Sequence, residues 1–404
     1  MSRKGSQKLV VFLCKFSDTE NVEPHPTTFY KELFAQRGTG GLNDYWIAAS
    51  LNTINLDGTD VFGWRTLQIK QADYLKARFG RSDKVNGAIE AFPEVDTSKY
   101  AGVVAMFNVD LGDSGTQGGV LASPGAMSVT FLGHETGHVF GLEHSFDESD
   151  RKGASWSAPG EYFDSYDIMS AMTVYSTFSP KFGESGPLLC AANLDRMGWL
   201  PTSRVWTLSA LNSSSSAEFD LVSMSRPEIP GFIAALIRDV YVEFRTQHSW
   251  DTSIPRPGVL IHRMVEPNAV VIASDKQNYV NDWQPGQMYG PSDLEMTLHG
   301  GVQIFIKSFN LRENKARIAV RVAASRPIVV GPGRVFGGVA SDGGGFLILN
   351  GKVIHIPPRS PVMALANEMA RLITAESNVA ALASSLGLGT SATGHGASGK
   401  LPGH

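Results

Sequence analysis

The stretch of sequence that decides the fold runs from residue 128 to residue 144 and reads SVTFLGHETGHVFGLEH. The pattern is helical as far as Phe140, and Gly141 follows it. Glycine lacks a Cβ atom and readily adopts the left-handed conformation that ends many helices. The stretch therefore predicts a helix that stops at Gly141, with a chain that turns back after it.

Three histidines in this stretch have the spacing of metal ligands. His134 and His138 are four positions apart, so on a helix both imidazoles leave the same face. The turn at Gly141 would then return His144 as a third nitrogen donor. Three protein ligands leave a fourth position for water, which is typical of a catalytic zinc site. We therefore predict one catalytic Zn²⁺ ion at these histidines.

Glu135 follows the first of these histidines directly and is the predicted catalytic base. A zinc-bound water has a strongly lowered pKa, and Glu135 is placed to take its proton and later deliver it to the leaving amine. The alternative is that the histidines only fill a helix face and that Glu135 is solvated. That interpretation leaves Gly141 and His144 unexplained, so the residues favour a zinc-dependent endopeptidase.

The motif resembles that of the metzincin metalloproteases. Members of that group carry a methionine in a tight turn beneath the metal, and Met169 in the segment YDIMS occupies a matching place. The segments LVVFLCKFSD, GTGGLNDYW, VFGW and NLDRMGWL are similar to the immune inhibitor A and gametolysin-like branch, over roughly residues 8–325. The resemblance implies protein or peptide substrates, an extracellular location, and structural support of the site by Gly141 and Met169.

The resemblance also implies how substrate is bound. In metzincins an extended peptide pairs with an exposed edge strand above the metal, which we expect at residues 119–123. The predicted substrate-binding residues are Gly119, Val120, Leu121 and Ala122. The small residues of segment 170–176 form the expected opposite wall, with room for a bulky apolar side chain after the scissile bond. Some metzincins place a tyrosine ligand two residues past the methionine, but this chain has Ala171 there, so we expect no such ligand.

The rest of the chain predicts an α+β fold with several parts. Apolar strands at 9–16 and 101–109 alternate with helical segments, which indicates a catalytic domain with a mixed twisted sheet and the active-site helix. Short β-prone segments separated by turns then indicate an antiparallel β-sandwich. The predicted parts are the catalytic domain at 1–200, the sandwich at 201–325, a β-hairpin plus helix at 326–386 and a disordered tail at 387–404.

Composition excludes several classes of protein. The chain has 404 residues, of which 42% are hydrophobic and 18% are charged, and this composition is typical of a globular protein. Its net charge of −4 provides no overall basic field that would attract nucleic acid. No apolar run is long enough for a membrane span. The apolar run at 9–14 is short and lacks a cleavage site, so we interpret it as a strand and see no signal peptide. Either the protein is intracellular or its export signal is missing from this sequence, and composition does not distinguish the two. The oligomeric state also stays open.

Some features support weaker interpretations. The loop carboxylates Asp110, Asp113, Asp147, Glu148 and Asp150 offer oxygen ligands for Ca²⁺, although solvated carboxylates are the favoured interpretation. With only two cysteines, the chain cannot be held together by a framework of several disulfides. Whether Cys14 and Cys190 form a single disulfide cannot be decided from the sequence.

Two further interpretations concern the second half of the chain. His262 is interpreted as a hydrogen-bonded residue of the sandwich and not as a ligand. The alternative function is a binding or adhesion protein whose sandwich engages a partner while the zinc site is vestigial. An intact Glu135 argues against it.

Overall fold

The structure is a computed structural model with a mixed α/β architecture. It describes residues 3–76, 80–208, 215–293, 295–296, 301–323, 335–339, 345–349, 352–356 and 391–392. The helix predicted within 326–386 and most of the tail predicted at 387–404 lie outside these residues. Within the described part of the chain, no helix is long and apolar enough to cross a membrane.

Six α-helices, five short 3-10 helices and 23 strands make up the described structure. The helices are α1 (Thr27–Phe34), α2 (Leu42–Ala49), α3 (Gln71–Lys76), α4 (Arg81–Glu90), α5 (Val129–Phe140) and α6 (Ala191–Arg196). The first ten strands are β1 (Gly5–Ser6), β2 (Leu9–Lys15), β3 (Ile54–Asn55), β4 (Asp60–Thr66), β5 (Gly102–Phe107), β6 (Gly115–Thr116), β7 (Val120–Ala122), β8 (Phe146–Asp147), β9 (Thr177–Ser179) and β10 (Gly183–Ser185). The others are β11 (Val205–Thr207), β12 (Ser215–Val222), β13 (Ala234–Ile237), β14 (Val240–Arg245), β15 (Gly258–Val265), β16 (Asn268–Val271), β17 (Met288–Tyr289), β18 (Gly301–Asn310), β19 (Lys315–Ala323), β20 (Val335–Val339), β21 (Gly345–Leu349), β22 (Lys352–Ile356) and β23 (Ser391–Ala392).

A five-stranded sheet carries the metal-motif helix. Its order is β4-β2-β5-β7-β6, in which β6 alone runs antiparallel to its neighbour. Strand β2 is apolar along nearly its whole length because it is buried on both faces, as parallel strands usually are. Leu9 and its same-face neighbours pack with α1, α2 and α5, whereas Val10 and its neighbours pack with α3 and α4. The sheet is therefore covered by helices on both sides.

Helix α5 begins and ends where the sequence predicts. The Ser128 hydroxyl accepts a hydrogen bond from the N–H of Phe131 at 3.0 Å, which satisfies one free donor of the first turn. Gly141 takes φ = 103°, and its N–H group bonds back to the carbonyls of Gly137 and His138. These contacts confirm the predicted helix and its stop.

A second group of strands lies mostly after residue 204. One sheet has the order β11-β13-β14-β15-β16-β8 and is antiparallel from β13 to β16, and another has the order β12-β19-β18-β17. Strand β8 lies just after the metal motif in sequence, yet it pairs with β16 in parallel. The later strands β20, β21 and β22 form an antiparallel meander, which includes the predicted hairpin strands.

The chain forms two compact units. The first contains residues 1–209, 218–288 and 305–319, and the second contains residues 210–217, 289–304 and 320–404. This division differs from the predicted boundary at residue 200, since much of the region predicted as a separate sandwich falls in the first unit. All the residues of the candidate site belong to the first unit.

The Cys14–Cys190 disulfide is not formed. Both cysteines are free and buried. Cys14 lies on β2 in the core cluster with Val10, and Cys190 precedes α6 in another cluster with Ala269. The two thiols therefore act as core residues.

Candidate active site

The three motif histidines converge on one point. The Nε2 atom of His138 lies 3.1 Å from Nε2 of His134 and 3.1 Å from Nε2 of His144. Helix α5 supplies the first two imidazoles from one face, and the turn at Gly141 returns the third. These three residues form a group of the right chemistry and spacing to hold a metal ion.

Each of these imidazoles is oriented through its other nitrogen. Nδ1 of His134 lies 3.0 Å from the carbonyl oxygen of Ile168, and Nδ1 of His138 lies 2.9 Å from that of Leu142. Nδ1 of His144 lies 2.5 Å from Oε1 of Glu161. Because every Nδ1 atom faces an acceptor, the proton belongs on Nδ1 and the lone pair on Nε2. This is the tautomer that metal-binding histidines need.

Burial favours the neutral form of two of these histidines, His134 and His144. Burial, together with neighbouring His138, lowers the pKa of His134 to about 3. Burial also lowers the pKa of His144, although the Glu161 carboxylate opposes the change. Metal ligation requires neutral imidazole, so the environment and the geometry agree.

Glu135 lies beside this group and faces the same cavity. Its side chain is 8% exposed, and burial raises its pKa. The hydroxyl of Thr116 on β6 lies 2.7 Å from Oε2 of Glu135 and 2.9 Å from its backbone carbonyl. Thr116 was not identified from the sequence, and it fixes the position of the carboxylate. The arrangement suits a group that exchanges a proton with a molecule in the cavity.

Met169 lies beneath the histidine helix. It is fully buried, and its N–H group donates to Oδ1 of Asp167 at 2.7 Å, which stabilises a tight turn. A Cβ atom at Gly137 would come within 2.6 Å of the Met169 sulfur, so only glycine allows this close approach. Met169 therefore packs directly against the helix that carries His134 and His138.

Tyr162 also faces the histidine group, and sequence reasoning missed it. Its hydroxyl oxygen lies 3.3 Å from Nε2 of His144, and the centres of the two rings are 4.4 Å apart. Its φ of 70° is unusual for a bulky residue, and its N–H group donates to the carbonyl of Ser145 at 3.1 Å. Burial raises the pKa of Tyr162, which keeps the hydroxyl protonated. A neutral O–H donor therefore lies at the site.

As the sequence predicts, position 171 supplies no tyrosine ligand, and the tyrosine that follows it at position 175 faces other residues. Ala171 lines the cavity and offers no ligand atom. Tyr175 donates its N–H group to Ser165 and packs its ring on Tyr166, with ring centres 5.0 Å apart. The tyrosine nearest the histidines therefore comes from the loop before Met169 instead of the segment after it.

The prediction that residues 119–123 form the open edge strand is wrong. Strand β7 lies between β5 and β6, and its three residues are fully buried. The edge is instead β6, whose Gly115 and Thr116 pair with Leu121 and Val120. Gly119 precedes β7 with φ = 153° and belongs to the turn that joins the two strands. The edge strand on this side of the sheet is therefore β6.

The cavity around the histidines measures about 760 Å³. Arg81 and Thr116 line it near β6, and Ala171, Ser176 and Glu184 line it elsewhere. Nε of Arg81 lies 2.7 Å from Oδ1 of Asp113, so an ion pair already engages this cation. The volume is large enough for several side chains of a peptide.

The acidic loops proposed for Ca²⁺ pair largely with basic side chains. Asp113 contacts Arg81 and Lys84, Asp147 contacts Arg151 at 2.6 Å, and Glu148 contacts Lys276 at 2.9 Å. Asp110 accepts a hydrogen bond from the hydroxyl of Ser123 at 2.6 Å. These partners favour ion pairs and hydrogen bonds over calcium ligation.

His262 belongs to a buried ionic group close to the site. Its Nε2 atom lies 2.9 Å from Oδ2 of Asp164, which follows Tyr162 by two residues, and both side chains are fully buried. Cys190 lies near them, completing a set with possible ligand atoms. We interpret the set as an ion pair, because the imidazole and the carboxylate already bond to each other. His262 is thus partnered as predicted, but by Asp164, which lies in the first half of the chain and outside the predicted sandwich.

No known protein family, curated protein or solved structure matches this chain.

Proposed function

We propose that the protein is a zinc-dependent endopeptidase of the metzincin type. The observation that carries the proposal is the convergence of three Nε2 lone pairs, each imidazole being oriented through Nδ1, beside the buried carboxylate of Glu135. A merely structural histidine cluster would not need three oriented lone pairs on an open cavity. The position of Met169 beneath the helix supports the same proposal.

The donor set fits Zn²⁺. His134, His138 and His144 would hold the ion, which prefers nitrogen donors and leaves a coordination position open in catalytic sites. When bound, zinc supplies a Lewis acid that acidifies water and polarises the substrate carbonyl. Glu135 would remove the proton of the attacking water at its carboxylate and pass it to the leaving amine. Thr116 holds that carboxylate in place throughout.

Tyr162 would stabilise charge on the substrate. Its hydroxyl lies at the histidine group and retains its proton, so it can donate a hydrogen bond to the carbonyl oxygen as negative charge develops there. The hydrogen bond from its N–H group to Ser145 holds the loop in the conformation that aims the ring at the site. Tyr162 would therefore act on the reacting atoms and not on the fold.

Peptide substrates would bind along β6. Gly115 and Thr116 pair with β7 on one side only, so the outer side of the strand can add an extended peptide by main-chain hydrogen bonds. Strand β6 has only two residues. Pairing with it would select substrates for an extended backbone more than for particular side chains. Unfolded or flexible segments are the proposed substrates, because folded proteins rarely offer free extended backbone.

The test is zinc content together with peptide cleavage. We expect about one zinc per chain and hydrolysis of unfolded protein that a chelator abolishes and added zinc restores. His144→Ala should lose zinc and activity, whereas His248→Ala, a matched histidine in a turn outside the site, should keep both. Zinc-independent cleavage, or equal zinc content in the two variants, would contradict the proposal.

A further inference from the structure

The carboxylate of Glu184 lies in the wall of the proposed catalytic cavity. Its side chain bonds to a hydroxyl and not to a cation. Its Oε2 atom accepts a hydrogen bond from the hydroxyl of Ser176 at 2.5 Å. The neighbouring Lys181 pairs with Glu32 at 2.8 Å, and the cavity's own Arg81 pairs with Asp113. Among the described residues, these two basic side chains, Lys181 and Arg81, thus form ion pairs with carboxylates other than Glu184.

The β9–β10 hairpin holds Glu184 next to the first turn of α5. The N–H group of Val129 donates to the carbonyl of Phe182 at 3.3 Å, and the hydroxyl of Thr130 donates to that of Gly186 at 2.8 Å. These bonds bracket β10, so the backbone of Glu184 is fixed relative to the helix that carries His134. Thr116 contacts Glu135 from β6, whereas Glu184 lies among the residues that follow the Met169 turn. Thr116 of β6, the three histidines and Glu184 all line the same cavity, so a peptide along β6 would lie in the cavity that Glu184 faces.

The walls of this part of the cavity suit a long side chain with a cationic end. Ala171, Val174 and Ser176 are small, which leaves room for a methylene stem. The Thr130 hydroxyl already donates a hydrogen bond to the carbonyl of Gly186. The Ser128 hydroxyl already accepts one from the N–H group of Phe131. The carboxylate of Glu184 is thus the charged group left to meet a substrate side chain in this part of the cavity.

We propose that Glu184 selects lysine or arginine as the residue that follows the scissile bond. The inference rests on the proposed peptidase function and replaces the expectation of a bulky apolar side chain at that position. Glu184 is exposed at the cavity wall, so a cationic end can reach its carboxylate beside the Ser176 hydroxyl. The alternative is that Glu184 only complements the positive end of α5, in which case its replacement affects stability and not specificity.

The first experiment compares peptides that differ at one position. Lysine and norleucine share the same stem and differ in charge, so they form a matched pair after the scissile bond. Wild-type enzyme should prefer the lysine peptide in kcat/KM by about two- to fivefold, and the preference should fall with added salt. Glu184→Gln should remove the preference, and Glu184→Lys should reverse it in favour of a peptide with glutamate at that position. Glu266→Gln replaces a surface glutamate outside the cavity and should leave the lysine preference unchanged. An unchanged preference in Glu184→Gln would overturn the inference.

The second experiment separates this inference from the proposed function. Binding of labelled lysine and norleucine peptides is measured by fluorescence anisotropy in the Glu135→Gln background, where no hydrolysis is needed. Tighter binding of the lysine peptide that disappears on adding Glu184→Gln supports the cation site, even if wild-type protein cleaves no peptide and the peptidase proposal fails. Equal binding of both peptides overturns the cation site, even if wild-type protein is an active peptidase.

Discussion

The Nδ1 atom of His144 lies 2.5 Å from Oε1 of Glu161, whose other oxygen accepts the N–H group of Ala158 at 2.7 Å. The carboxylate is therefore held from both sides and in turn orients the imidazole. Such partners fix the tautomer of a ligand histidine and raise its basicity.

Glu161→Ala should therefore weaken zinc binding by about 10- to 100-fold, because His144 would lose the group that orients it. Glu161→Gln keeps an acceptor oxygen and should be milder. Zinc affinity is measured by competition with a chromophoric chelator. Glu143→Ala is the control, since Glu143 is exposed next to the same histidine. Wild-type affinity in Glu161→Ala would show that the carboxylate does not support the ligand.

Thr116→Val should lower kcat by about tenfold or more while zinc content and KM stay nearly the same. The substitution keeps a β-branched side chain on β6 but removes the hydroxyl that bonds to the Glu135 carboxylate at 2.7 Å. Thr116→Ser keeps the hydroxyl and should retain most of the activity. Steady-state kinetics on one peptide decide the matter. Equal kcat values for the valine and serine variants would mean that the hydroxyl does not position the base.

Tyr162→Phe should reduce kcat by about 100-fold with a smaller change in KM, because the lost hydroxyl is proposed to act on developing charge. Zinc binding should change little, and the absorption spectrum of the cobalt-substituted protein should reveal any change at the metal. Tyr175→Phe is the matched control, since that ring packs on Tyr166. A Tyr162→Phe enzyme with normal kcat would remove Tyr162 from the mechanism.

The ion pair between His262 and Asp164 predicts a pH-dependent stability. Burial alone would lower the pKa of His262, but the charge and hydrogen bond of Asp164 raise it, with smaller contributions from Glu243 and Asp167. The thiol of Cys190 also lies close to His262 and Asp164. A raised folded-state pKa means that the stabilisation is complete below the unfolded value, about 6.5, and is lost as pH rises through the folded value.

The free energy of unfolding should therefore differ most between wild type and His262→Gln near about pH 6, and the difference should shrink toward about pH 9. Urea unfolding at both pH values measures it. His248→Gln provides a histidine outside the ionic group and should show no such trend. A difference that grows with pH would contradict the charged pair.

The parts of the site that local spacing determines were predictable from the sequence. The two histidines on α5, the Ser128 cap and the stop at Gly141 depend on residues within one helix and its ends. Met169 was predictable through a family resemblance, and the structure places it against Gly137. These features need no knowledge of how distant segments meet.

The remaining parts depend on tertiary contacts. Tyr162 reaches His144 through a loop with a left-handed backbone at a non-glycine residue, which no pattern indicates. Strand β6 has two residues in a glycine-rich loop, too few to show alternation, so β7 was mistaken for the edge. His262 and Asp164 are 98 positions apart, and their pairing follows from the packing of β15 in the first unit.

The most direct test of the central claim is zinc content and peptide hydrolysis measured side by side in Glu135→Gln. Glutamine is nearly isosteric with glutamate but cannot take a proton from water. We predict about one zinc per chain, as in wild type, with hydrolysis reduced by about 10²- to 10⁴-fold. A Glu135→Gln protein that binds zinc and cleaves peptides at the wild-type rate would contradict the proposed mechanism.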